Sequence, residues 1–114
     1  MSAAIDLDRD LRERVQGVAS SVREAFADAS HVPHVTRVEY TIDRDWSGDD
    51  AVHFTVTIAD PQGRDSLGHH ELAPIETLIA DLFIREGIAR IPYVLFQMDS
   101  EAKALANNDY YASE

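Results

Sequence analysis

Cysteine is missing from all 114 residues, which excludes disulfides and thiolate metal sites and leaves the redox compartment unconstrained. Positive charge is scarce too: one Lys and nine Arg face 21 acidic residues, the net charge is -11, and no segment of the chain is basic. Non-specific affinity for nucleic acid comes from neutralising phosphates with Lys and Arg, so this distribution opposes general DNA or RNA binding. Anionic membrane surfaces are disfavoured for the same reason. A basic protein partner is instead attracted, and associates faster at low salt. No run approaches the roughly 18 apolar residues of a membrane span. Met1 to Asp10 has neither the basic start nor the long apolar stretch of a signal peptide, so the expectation is a soluble protein of the cytoplasm. A nucleophile elbow, a phosphate-cradling Gly-Lys loop and a His-Glu-x-x-His motif are all absent. The chain is therefore expected to be no enzyme, with no catalytic residues and no cofactor.

What is present suits one α+β domain over residues 1–106, followed by a flexible tail over 107–114. Hydrophobic residues make up 45% of the chain, enough for a core without staples. Leu7, Leu11, Val15, Val18, Val22 and Phe26 recur every three or four residues and draw the stripe of a first helix. Gly17 interrupts it at a cost of about 1 kcal/mol relative to Ala, which marks a close approach of another element. Pro33 ends that region. From Val35 the period changes to two, with Thr36, Val38, Tyr40 and Ile42 on one face and Val35, Arg37, Glu39 and Thr41 on the other. A second alternating run points Val52, Phe54, Val56 and Ile58 one way and His53, Thr55 and Thr57 the other. Superposing the apolar faces demands antiparallel pairs Ile42 with Val52, Tyr40 with Phe54 and Val38 with Val56, since a one-residue slip exposes one set.

A second helix is expected near Glu71, with Pro74 in its first turn, a stripe of Leu72, Ile75, Leu78, Ile79, Leu82 and Phe83, and Gly87 as its stop. Ile91 to Met98 is a nearly continuous apolar run that reads as a third strand, Pro92 being tolerated at a strand start or on an edge. Ser100 is placed to cap a short helix through Glu101, Lys103 and Leu105. The order α-β-β-α-β predicts a two-layer sandwich: a three-stranded sheet with both main helices on one face and a polar, open second face. An apolar third strand at an edge also favours homodimerisation by edge pairing.

Between the first two strands lies Asp43-Arg44-Asp45-Trp46-Ser47-Gly48-Asp49-Asp50, which places four carboxylates and the only tryptophan at a hairpin tip. Three readings compete there. Asp43-x-Asp45-x-Ser47-Gly48 matches the opening of a calcium loop, but its twelfth position, which should supply a bidentate Glu, is Phe54. The second is an ordinary hairpin loop whose Asp side chains cap backbone amides, with Gly48 left-handed. The third is a partner-binding loop of Asp43, Asp45, Trp46, Asp49 and Asp50, with Trp46 as the aromatic anchor. His31, His34, His69 and His70 fall near one end of the hairpin, where solvated turn histidines outweigh a metal site because adjacent histidines are poor ligand spacing. No metal ligands are assigned.

The element order, with Val35-Thr36-Arg37-Val38-Glu39 before a hairpin and Ile91-Pro92-Tyr93-Val94-Leu95-Phe96 as a final strand, resembles ribosome-binding factor A and its KH-like relatives. That resemblance implies an RNA- or ribosome-associated role. The KH Gly-x-x-Gly loop has no counterpart, however, because Gly63 and Gly68 are separated by four residues and precede the second helix. No binding residues are carried over. The first expectation is thus a small acidic interaction or regulatory module, antitoxin- or immunity-like, that covers a basic protein. A KH-like factor is the alternative, and a metal-binding protein using the 43–50 loop the third.

Overall fold

A computed structural model describes residues 3–61 and 67–100. Its elements are α1 (Ala3–Ala25), β1 (Val35–Arg44), β2 (Asp50–Ile58), α2 (His69–Arg85) and β3 (Ile91–Met98). The strands form one sheet in the order β1-β2-β3, with β1 antiparallel and β3 parallel to β2. This is the expected α+β architecture. The short helix after Ser100 and the tail from Asn107 lie outside the described residues. Among the described residues, no helix is long and apolar enough to cross a membrane.

Alternation in β1 and β2 sets the register as required: Ile42 pairs with Val52, Tyr40 with Phe54 and Val38 with Val56. One position departs from it. A bulge between Val35 and Arg37 inserts Thr36, so that Val35 pairs with Ile58 and is buried in the core instead of lying on the polar face. Burying a valine stabilises by about 1.5–3 kcal/mol, which outweighs a locally disrupted ladder.

Val15, Val18 and Val22 of α1, Phe54, Val56 and Ile58 of β2, and Ile75, Ile79 and Phe83 of α2 share the main core. Phe54 is its centre, meeting Phe83 edge-on at 5.8 Å and Tyr40 at 6.2 Å between ring centroids. Both helices therefore lie on one face of the sheet. At the far end, the Ser100 amide and hydroxyl donate to Asp60 Oδ1, at 3.2 and 3.1 Å, which fastens the end of β3 to the end of β2.

Helix α2 starts two residues before the expected Glu71. The Gly68 amide donates to Glu71 Oε1 at 2.9 Å, a carboxylate reaching back over the first turn, so the helix begins at His69. Pro74 consequently sits inside the helix, where it removes the N–H that would have bonded the His70 carbonyl. The other end follows the expected stop. Gly87 takes φ +66° and the Ile88 amide donates back to the Phe83 carbonyl at 2.9 Å, with Ile88 buried beneath. Arg14, paired with Asp10 at 3.0 Å, also donates to the Glu86 carbonyl at 2.8 Å and so ties α1 to the negative end of α2.

Gly17 is not a point of close approach: a Cβ built there meets nothing within 4 Å. Its lack of a side chain weakens the helix without serving a contact. Gly17→Ala is therefore expected to stabilise the protein by about 0.4–1 kcal/mol, whereas Gly87→Ala, forced to keep a positive φ, should destabilise it by more than that. Urea denaturation of the two variants checks the opposite signs.

Candidate partner-binding site at the hairpin tip

The turn joining β1 and β2 is organised by one carboxylate. Asp45 Oδ1 accepts from the Ser47 amide at 2.9 Å, the Ser47 hydroxyl at 2.7 Å and the Asp49 amide at 3.0 Å. Its backbone closes the same loop: the Asp45 amide donates to the Asp49 carbonyl at 2.8 Å and the Gly48 amide to the Asp45 carbonyl at 3.0 Å. Gly48 takes φ +90°, the conformation its place in the turn requires. The second oxygen of Asp45 faces the sheet. Asp45 Oδ2 accepts from the Tyr93 hydroxyl of β3 at 2.9 Å, and the Tyr93 ring stacks on His53 of β2 with centroids 5.4 Å apart and planes 13° from parallel. His53 Nε2 in turn donates to the Arg44 carbonyl at 3.2 Å.

These donors act together on the acidity of Asp45. The Ser47 hydroxyl contributes most, followed by the Asp49 amide, the Tyr93 hydroxyl and the Ser47 amide, and against partial desolvation they hold the carboxyl at about 2 instead of 3.8. The same bond raises the Tyr93 phenol above its ordinary value, because a phenolate would face the Asp45 carboxylate.

The five anticipated residues thus divide into two kinds. Asp45 is the internal strut of the tip, with both oxygens occupied by donors of the protein. Trp46, held between these bonds, is 94% exposed. Asp43 caps the Arg44 amide at 2.7 Å, Asp49 Oδ2 accepts from the Ser47 hydroxyl at 3.2 Å, and Asp50 stands opposite Arg44 in the strand register. Asp43, Asp49 and Asp50 are exposed and face solvent around the tryptophan. In its bonding this is the amide-capping loop, with the indole of Trp46 exposed on it. Phe54, at the position where a calcium loop needs its bidentate carboxylate, is buried in the core. Among the described residues, no three His, Asp or Glu side chains converge as metal ligands.

The histidines do not gather either. His31 pairs with Asp28 at 2.8 Å and His69 lies 4.0 Å from Glu76. His31 and His34 line an open cavity of about 600 Å³ together with Asp60 and Glu71. Of the arginines, Arg9, Arg12 and Arg23 recur at spacings of three and eleven and so share one flank of α1, with Glu13 and Glu24 as chain neighbours. Arg37 lies on the open face of the sheet, 3.5 Å from Glu39.

Strand β3 contributes a part of the site that the hairpin residues alone do not reveal. Register places Ile91, Tyr93 and Leu95 on the open face beside Ala51, His53 and Thr55, so a third of that face is apolar instead of polar. Strand parity carried the signal: once Val94 and Phe96 face the core, their neighbours must face away. Comparison with protein-family models, curated proteins and solved structures finds no match for the chain.

Asp45→Asn is expected to lower the melting temperature at neutral pH. A carboxyl depressed from 3.8 to about 2 stabilises the fold fully above its unfolded value, and that contribution disappears as pH falls through its folded value. The gap between wild type and Asp45→Asn should accordingly be constant above about pH 5 and close between pH 4 and pH 2. Calorimetry across that range measures it.

Proposed function

We propose that this chain is a non-enzymatic cytoplasmic module that binds a basic protein through the β1–β2 tip. Trp46 is the anchor, and Asp43, Asp49 and Asp50 form the charged surround. The observation that carries the reading is Trp46 standing 94% exposed on a turn fixed by the bonds to Asp45 and, through Tyr93, to a second strand. A large aromatic surface kept in water by a pre-ordered turn loses little freedom on docking, which is the property that concentrates binding energy at interface centres. The acidic surround, within a chain of net charge -11, selects a positively charged partner and speeds encounter.

A KH-like, RNA-associated role is the second reading, and the observation in its favour is the flank of Arg9, Arg12 and Arg23 on α1. Their acidic neighbours and the overall charge place it behind the first.

Affinity purification of the tagged chain from native lysate, at low and moderate salt, separates the two. A basic protein should be retained at low salt and weakened by added salt. Trp46→Ala should cost about 2 kcal/mol or more in affinity, roughly thirtyfold, while stability stays within about 0.5 kcal/mol of wild type. Recovery of RNA alone, or of no partner at either salt concentration, overturns the proposal.

A further inference from the structure

The two edges of the sheet are unlike. Edge strand β1 carries Arg37, Glu39, Asp43 and Arg44, the kind of charge that keeps an edge from pairing with another chain. The other edge, β3, has no charged residue in its eight, in a chain where 27% of residues are charged. On its open face Ile91 is 42%, Tyr93 38% and Leu95 65% exposed. Among the described residues, the blunting device on β3 is Pro92, near its start, which removes one donor.

We propose that two copies of this chain pair antiparallel through β3, making one continuous six-stranded sheet. A continuous sheet requires that residues opposite each other share a face, which restricts the two-fold axis to pass beside a residue of the strand. The axis at Val94 places Tyr93 opposite Leu95 of the second copy, twice over, and so joins two tyrosines and two leucines into one apolar block. It also brings the Arg90 end of each strand to the Asp99 end of the other, so opposite charges flank the uncharged pair.

Charge elsewhere is accommodated by the antiparallel arrangement. Each acidic tip sits at the Ile91 end of its β3, and the two Ile91 positions fall six residues apart along the joined strands. That is about 20 Å, well beyond the Debye length of about 8 Å at physiological salt. A second copy thus meets the uncharged edge while the regions of strongest like charge stay apart. The pairing leaves Trp46 exposed in each copy, while Tyr93, whose hydroxyl holds Asp45, belongs both to the joined face and to the support of the tip.

Sedimentation velocity of the full chain, from micromolar to millimolar concentration, tests it. A reversible monomer–dimer equilibrium is expected, and it should tighten with added NaCl because two chains of like net charge are brought together. Binding of a basic protein at the tip has the opposite salt dependence, so failure of one reading is distinguishable from failure of the other. Leu95→Glu should abolish the dimer and keep the monomer's circular dichroism, whereas Trp46→Ala should leave the dimer intact. Should Leu95→Glu not fold, hydrogen exchange of the wild type provides a separate readout: protection of β3 amides should rise with concentration while that of β1 stays constant. A chain monomeric at millimolar concentration and high salt, a dimer that survives Leu95→Glu, or concentration-dependent protection of β1 instead of β3 would overturn the proposal.

Discussion

A three-stranded sheet has two faces, and among the described residues α1 and α2 cover only one of them. That constraint sets the arrangement of everything else. The covered face must carry Val52, Phe54, Val56 and Ile58 in phase with Val38, Tyr40 and Ile42, so the strand register follows from the need to bury them. Once the register stands, His53, Tyr93 and Leu95 are committed to the opposite face. Features suited to recognition collect on the side of the molecule that the core does not claim.

Asp45 converts that geometry into rigidity. Its carboxylate joins the loop amides to a tyrosine 48 positions away, so the tip is bonded to a second strand as well as to its own hairpin. The bonding also redistributes electrostatic roles among neighbouring aspartates. Asp45 directs its charge to internal donors, whereas Asp43, Asp49 and Asp50 are exposed to solvent. The low pKa of Asp45 is the chemical expression of that division, arising from hydrogen bonds to its ionised form and not from a nearby cation.

Much of the fold was legible in the residues because burial enforces periodicity. The period-two runs gave the β1–β2 pairs, and the stripe of Leu72, Ile75, Ile79 and Phe83 gave the buried side of α2. Boundaries and local irregularities were harder to read. The start of α2 at His69 depends on Glu71 reaching back to the Gly68 amide, and the bulge beside Val35 depends on the burial of that side chain in the core. For the candidate site, the acidic loop and its tryptophan could be found from the sequence, but the distinction between Asp45 and its neighbours could not. Part of that distinction comes from Tyr93, which occupies the second oxygen of Asp45 and whose side of the sheet is hidden in the uninterrupted apolar run of β3 until its pairing with β2 is known.

The exposure of Trp46 carries an optical consequence. As the sole tryptophan, it is the chain's dominant fluorophore, and its indole is surrounded by water in the native state. Emission from the folded protein should therefore resemble that of the denatured chain in wavelength, leaving this signal nearly blind to unfolding. A shift to the blue would instead register the moment when another surface closes over the ring.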